Sequence, residues 1–131
     1  MKINPPPSLY PLLIRTDFSD NDAWEILKQK ILSPDNEYDA VVTFIDEKKF
    51  ENLLLSQLLH FDSEQDFIFI ADSISISGES LVLCISLAEN YGKNFRIVPS
   101  QILSVSNNLF IVNAEFNEYA ESVDFNGVYR G

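Results

Sequence analysis

Cysteine and histidine are nearly absent from this chain, which has one of each among its 131 residues. The single cysteine, Cys84, excludes an internal disulfide, and its place within an apolar run predicts a buried, unreactive thiol. The single histidine, His60, excludes a zinc site built from several imidazoles. It ends a predicted apolar helix, where the helix dipole favours a protonated imidazole, so we expect it to have a structural role.

Glycine and long apolar runs are scarce as well. With four glycines, the chain has neither a Gly-rich phosphate loop nor the Gly-x-Ser-x-Gly turn of serine hydrolases. Its apolar runs are too short to cross a membrane. The chain opens with one lysine and then Pro5, Pro6 and Pro7, which is unlike a secretory signal. We therefore expect a cytoplasmic protein with an extended, proline-rich segment over residues 1–8.

Basic side chains are heavily outnumbered, since nine lysines and arginines accompany twenty aspartates and glutamates, for a net charge of −11. This balance predicts no nucleic-acid partner, because a phosphate backbone requires clustered cations. It also disfavours an anionic membrane surface. It permits a basic protein partner, because opposite charges accelerate encounter. The other interpretation is a negative surface that only keeps the protein soluble.

Apolar residues are abundant, at 46% of the chain, which suits one domain over residues 1–131 with a sizeable core. The order of apolar runs and amphipathic segments begins β-α-β-α-β and predicts an α/β fold. We expect a three-layer α/β/α arrangement or a two-layer sandwich around a mixed sheet of about five to six strands. The predicted strands are 9–15, 40–45, 67–71, 81–86, 95–98 and 109–112, and the predicted helices are a Ser19-capped helix ending at 32, then 48–59 and 114–123, followed by a tail at 125–131.

One connection between predicted strands is short. Only residues 73–80 separate the third strand and its following aspartate from the fourth strand, whereas a parallel crossover takes about a dozen residues or more. The fourth strand is therefore expected to run antiparallel to the third, or to be reached through one compact turn.

Aspartates follow three of the predicted strands. Asp17, Asp46 and Asp72 each lie at or just beyond the end of an apolar run, and Asp20 is close to Asp17 in sequence. If the strands are parallel, these carboxylates share the carboxyl edge of the sheet, where open α/β sheets bind ligands. Converging carboxylates can hold Mg²⁺ and position a phosphate. Alternatively, the aspartates cap helices and accept hydrogen bonds within turns.

Aromatic and basic residues accompany Asp17. Phe18, Trp24 and the tail aromatics Phe125 and Tyr129 could line a small-ligand pocket at this edge, with Trp24 alternatively in the core. Arg15 is a strand arginine that must find a partner if it is buried, and pairing with one of the aspartates would be structural.

The last predicted helix carries an acidic stripe. Glu115, Glu118 and Glu121 lie away from its apolar face, which is formed by Phe116, Tyr119, Ala120 and Val123. This stripe, and the acidic loop at 62–66, could contact a basic partner, or they are solvated surface.

Several stretches resemble signatures of an uncharacterised bacterial domain family. They are LIRTDFSD at 13–20 with Ala23 and Trp24, FIAD at 69–72, FRIVP at 95–99, NNL at 107–109, FxxYA at 116–120 and NGVYRG at 126–131. The resemblance extends over nearly the whole chain and implies no known activity. The last helix is also similar, over a few residues, to the Phe-x-x-Phe helix of toxin-immunity proteins.

Two functions follow from these patterns. The leading hypothesis is a non-enzymatic module that binds a protein partner, of an immunity or regulatory type and without a cofactor, because the chain is small, acidic and lacks a recognisable catalytic set. The alternative is a Mg²⁺-dependent phosphohydrolase or nucleotide-binding domain that uses Asp17, Asp46 and Asp72.

Overall fold

Strand and helix positions follow the apolar pattern of the sequence over most of the chain. The computed structural model describes residues 10–33, 42–59 and 65–131. Its elements are β1 (Leu12–Arg15), α1 (Asn21–Ile31), β2 (Thr43–Ile45), a 3-10 turn (Lys48–Phe50), α2 (Leu55–Leu58), β3 (Phe67–Ala71), β4 (Val82–Ser86), β5 (Asn94–Ile97), a second 3-10 turn (Pro99–Gln101), α3 (Ile102–Phe110), α4 (Phe116–Ala120) and β6 (Val128–Tyr129). The protein is of the α/β class.

The six strands of the described ranges form one mixed sheet in the order β2-β1-β3-β4-β5-β6. β1 is parallel to both β2 and β3, so the carboxyl ends of these three strands share one edge. β4 runs antiparallel to β3 and to β5, and β5 is parallel to β6. The antiparallel alternative for the fourth strand is therefore confirmed, as expected from its short connection.

Helices cover both faces of the sheet, which gives three layers. Alternate strand residues contribute to two separate apolar clusters, because successive side chains in a strand point to opposite faces. One cluster joins Leu13, Phe69 and Phe95 to residues of α1, α3 and α4. The other joins the opposite strand positions, such as Ile14 and Ile68, to the first 3-10 turn and α2. None of the described helices is long and apolar enough to span a bilayer.

Three predicted elements differ from the structure. The helix expected over 48–59 is a 3-10 turn and a four-residue helix, separated by a break at Asn52, which has a φ of 60°. The strand expected at 109–112 is wrong, because α3 continues to Phe110, and it is the beginning of this helix that buries Ile102, Leu103 and Val105 in the core. The last helix is shorter than 114–123 and begins at Phe116, with Glu115 at its N-cap.

The apolar face predicted for the last helix is confirmed. Tyr119 is buried in the core, and Phe116, Ala120 and Val123 pack against it. The tail contributes the edge strand β6, although Phe125 within it is 97% exposed. The proline-rich segment predicted at 1–8 and the imidazole of His60 lie outside the described residues.

Candidate functional site

Two of the predicted site aspartates stabilise the turn between β1 and α1. Asp17 Oδ1 accepts hydrogen bonds from the backbone N–H and the hydroxyl of Ser19, at 2.8 and 2.6 Å. Asp20 caps α1, because its Oδ1 accepts the backbone N–H of Ala23 at 3.0 Å. The cap predicted at Ser19 is therefore wrong, since the hydroxyl of that residue is engaged by Asp17.

Arg15, at the end of β1, organises the turns at this edge. Its side chain is 3% exposed, and Nε donates to the backbone carbonyl of Asp17 at 3.0 Å. Its two terminal nitrogens donate to Asp46 Oδ1 at 3.2 Å and to Asn21 Oδ1 at 2.8 Å. One buried guanidinium thereby ties together the turn after β1, the start of α1 and the end of β2. Such a buried cation needs several acceptors, and here they are supplied within the protein.

The residues predicted to line a pocket near Asp17 pack against one another. The guanidinium carbon of Arg15 lies 4.3 Å from the ring centroid of Phe18 and 5.4 Å from that of Trp24. Trp24 is 1% exposed and belongs to the core, and its ring meets the edge of Phe44 at 6.0 Å. These contacts are those of a closely packed cluster around the arginine.

The tail aromatics lie elsewhere. Tyr129 is in β6, with three strands between it and β1, and its ring packs on Tyr119 at 5.0 Å. Phe125 precedes that strand and projects into solvent. The expectation that these two rings approach Asp17 is wrong, because the tail pairs with β5, on the far side of the sheet from β1.

Asp72 is paired with a second arginine. Its two oxygens accept hydrogen bonds from the terminal nitrogens of Arg96, both at 2.8 Å, and Oδ1 also accepts the backbone N–H of Ser75 at 3.3 Å. Burial raises the pKa of Asp72, but the hydrogen bonds and charge of Arg96, helped by Ser75, outweigh it and lower that pKa below its ordinary value. The carboxylate is therefore held ionised beside its arginine.

The two arginines draw their aspartates to opposite faces of the sheet. Arg15 follows the alternation of Leu13, so it lies on the α1 face, whereas Arg96 lies between two residues that face α1 and therefore points the other way. Asp46 and Asp72 share an edge of the sheet but not a binding centre. In residues 10–33, 42–59 and 65–131, no group of three or more His, Cys, Asp or Glu side chains could hold a metal ion.

A cavity opens at the other edge of the sheet, where β3 begins and β4 ends. It has a volume of about 260 Å³. The five-residue strand β3, about 16 Å long at 3.3 Å per residue, separates it from the carboxyl edge. Its apolar lining includes Phe67 from β3, Leu109 and Val112 from the end of α3, and Phe116 from α4. We call this feature the amino-edge cavity; its full lining is Asp66, Phe67, Ser86, Ala88, Glu89, Leu109, Val112, Ala114, Glu115 and Phe116.

Three carboxylates belong to this lining. Asp66, Glu89 and Glu115 come from three different loops, and all are exposed; we call them the rim carboxylates. In the part of the chain that the structure describes, none of them forms an ion pair. Lys93, in the neighbouring turn, donates instead to Asn117 Oδ1 at 3.1 Å. The rim thus combines an apolar wall with negative charge that is not neutralised there.

Val112 is held at the cavity in an unfavourable backbone conformation. Its φ is 58° and its residue is 81% exposed. A β-branched residue at positive φ is a genuine outlier, and the position that follows a helix end normally carries glycine or asparagine. The neighbouring Phe110 and Ile111 are also exposed, by 37% and 59%. Exposed apolar side chains beside an apolar cavity are typical of a contact surface.

The predicted acidic stripe overlaps this cavity at one residue. Glu115 lines the cavity, whereas Glu118 and Glu121 are exposed further along the same segment and are not part of the lining. The cavity thus brings Glu115 of the predicted stripe beside Asp66, from the predicted acidic loop, and beside Glu89, from the loop that follows β4.

Comparison with known proteins adds a relationship. Residues 10–131 match the model of a family described as Domain of unknown function (DUF6924). The chain belongs to this family. The predicted membership in an uncharacterised domain family is thus confirmed, while the bacterial origin and the signature motifs stay predictions. No curated protein and no solved structure matches the chain.

Because this family is described without an activity, the function of this chain has to be inferred from its own side chains. Asp66 belongs to the acidic loop predicted at 62–66 as a possible contact for a basic partner, whereas Glu89 and Val112 were not among the predicted site residues. A signal for Glu89 exists in the pattern: consecutive antiparallel strands place the start of one beside the end of the next, so acidic residues at 66 and 89 must lie near each other. Nothing in the sequence indicates the positive φ of Val112.

The remaining side chain that could act as a nucleophile is the thiol of Cys84. Cys84 lies in β4 with no exposed surface, and burial raises its pKa well above the ordinary value. Since the thiolate is the nucleophilic form, this residue is inert, as its apolar surroundings in the sequence predict.

Proposed function

We propose that this domain is a non-enzymatic module that binds a basic protein partner, of an immunity or regulatory type, in the cytoplasm. The observation that carries the proposal is the amino-edge cavity, where exposed apolar groups lie beside carboxylates that form no ion pair with another described residue. The net charge of −11 supports it, because a field of one sign attracts and orients a partner of the other.

Two features of the surface favour a protein partner. Exposed apolar groups next to a charged rim resemble the division of protein interfaces into an apolar centre and a polar border. The cavity, at about 260 Å³, lies at the lower limit of the range of about 300–1,000 Å³ that encloses drug-sized ligands, which is a size that accommodates one side chain of a protein partner.

The Mg²⁺-dependent alternative has less support. It requires Asp17, Asp46 and Asp72 to face one ion, but Arg15 pairs with Asp46 and Arg96 pairs with Asp72, on different faces of the sheet. A metal would have to displace two protein cations before it gained its ligands. No contact between described residues favours this second function.

The test is capture of a partner with variants matched in charge. The wild type, the rim variant D66N/E89Q/E115Q and the control E25Q/E47Q/E51Q are immobilised at low salt. The control removes the same number of charges from exposed positions outside the cavity lining. A protein retained by the wild type is identified, purified and titrated against all three by calorimetry.

We expect the wild type and the control to bind alike, the rim variant to bind more weakly, and added salt to weaken the complex by screening. Equal binding by all three proteins, or an affinity insensitive to salt, contradicts an interface at the rim.

A further inference from the structure

The amino-edge cavity has a composition that fits one particular side chain. We infer that it receives an arginine of the basic partner, with the methylene stem against the apolar wall and the guanidinium at the rim carboxylates. This inference rests on the proposed function and specifies the recognition chemistry of the same site.

The cavity walls suit an aliphatic stem. Phe67, Leu109 and Phe116 come from three elements of the folded core, so the wall is preformed. Phe116 is fixed by an edge contact with Phe95, at 5.2 Å between ring centroids, and Phe67 by a similar contact with Phe69 at 5.6 Å. A long basic side chain can place its stem along such a wall while its charged end remains in water.

The rim supplies complementary charge at little desolvation cost. Asp66, Glu89 and Glu115 are all exposed, so they remain hydrated while the cavity is empty. An incoming cation exchanges part of that water for charge-assisted hydrogen bonds, which are stronger than neutral ones. A neutral apolar side chain would fill the wall but leave the carboxylates without a partner.

Arginine fits these surroundings better than lysine. Its planar guanidinium is less strongly hydrated than an ammonium, binds carboxylates through two parallel hydrogen bonds and stacks on aromatic rings. The protein itself uses this chemistry twice, in the Arg96–Asp72 pair and in the packing of Arg15 on Phe18. A rim with carboxylates and two phenylalanines in the wall offers both kinds of contact.

The experiment titrates single-residue probes into the full-length ¹⁵N-labelled protein. The probes are the N-acetyl amides of arginine, of lysine and of citrulline, which has nearly the shape of arginine without its charge. We expect the arginine probe to produce saturable shifts at the amides of Ser86, Ala88, Ala114 and Phe116, the lysine probe to bind more weakly, and citrulline to produce none.

Two variants separate charge from shape. D66N/E89Q/E115Q retains the cavity, and we expect it to weaken arginine binding by about fivefold or more, because even one exposed ion pair contributes up to about 1 kcal/mol. A88W keeps every rim carboxylate and adds bulk at an exposed lining residue. We expect it to abolish the shifts by occupying the cavity.

Several results overturn the inference. They are equal shifts from citrulline and arginine, shifts that map only to the carboxyl edge, binding unaffected by A88W, absence of a saturable shift, and concentration-dependent shifts without a probe, which identify a second copy as the occupant. Failure of the proposed function can be distinguished from failure of this inference. If a basic partner binds with an affinity that A88W does not alter, the proposed function stands and the arginine site is contradicted. If the arginine probe binds at the cavity but no basic partner is found, the arginine site stands and the proposed function is contradicted.

Discussion

The carboxyl edge and the amino-edge cavity both contain several acidic side chains, but they differ in whether those carboxylates have partners within the protein. At the carboxyl edge, Asp46 and Asp72 are held by arginines, while Asp17 and Asp20 accept hydrogen bonds from their own turn. At the cavity, the rim carboxylates form no ion pair in the described ranges, and the adjacent backbone at Val112 is strained. Acidic residues paired within the fold stabilise it, whereas unpaired ones beside apolar surface are available to another molecule.

This contrast has a consequence for mutagenesis. Changes at the carboxyl edge should alter stability and leave binding unchanged, whereas changes at the cavity should alter binding and leave stability unchanged or increase it.

Removal of Arg15 should have the largest effect. R15A should lower the free energy of unfolding by about 3 kcal/mol, because it removes a buried side chain that joins three segments and packs on two aromatic rings. Urea denaturation measures the loss. D46N is the matched control and should cost less, since the Asp46 side chain is 45% exposed. A loss below about 1 kcal/mol for R15A would show that the edge does not depend on this cation.

Neutralisation of Asp72 should cost about 1.5 kcal/mol at neutral pH, through the charged hydrogen bonds to Arg96. The folded protein lowers the pKa of Asp72 below its unfolded value, so its carboxylate stabilises the fold above about pH 4, and this contribution disappears as the pH falls through the lowered pKa. The wild type and D72N should therefore differ fully at neutral pH and converge in acid.

Chemical denaturation across pH measures this difference, with E47Q as a control for removal of an exposed charge. A gap between wild type and D72N that is constant with pH would argue that the Asp72 charge is unimportant.

Replacement of Val112 should raise stability slightly. V112G should increase the free energy of unfolding by up to about 1 kcal/mol, because glycine adopts a φ of 58° without the strain of a β-branched residue. Since the side chain is removed from the cavity wall, binding of the arginine probe should fall. Thermal melting and the probe titration measure the two effects.

V112A is the control for this substitution, because it shortens the side chain but retains the Cβ that opposes positive φ. Destabilisation by V112G would mean that the packing of Val112 outweighs its backbone strain.

Magnesium should have no specific effect on stability. A ligand of the native state raises the melting temperature as its concentration passes its dissociation constant, but the aspartates at the carboxyl edge already have protein partners. Titration of Mg²⁺ and Mn²⁺ against wild type and D17N should give no shift, or equal shifts. A saturable rise confined to the wild type would restore the metal-enzyme hypothesis.

Local sequence patterns were sufficient for much of the fold. A continuous apolar run, typical of a central strand covered on both faces, placed β3 at 67–71 as observed, and the spacing of Trp24, Leu27 and Ile31 placed α1 on the sheet. The short 73–80 connection allowed the antiparallel fourth strand, because chain length limits a crossover. The pattern failed at 109–112, where a short apolar run forms the largely exposed end of α3, because periodicity alone does not distinguish such a run from a strand.

The same distinction between local sequence and tertiary packing applies to the candidate sites. The sequence by itself determined the excess of negative charge, the single thiol and imidazole, and the positions of aspartates after strands, because these are properties of composition and local order. Only the tertiary structure decided which carboxylates are paired. Arg15 and Arg96 reach Asp46 and Asp72 across separations of 31 and 24 residues, and Asp66, Glu89 and Glu115 meet around one cavity because antiparallel pairing and the end of α3 bring three loops together. Pairing of charges depends on distances in space, which spacing along the chain does not encode.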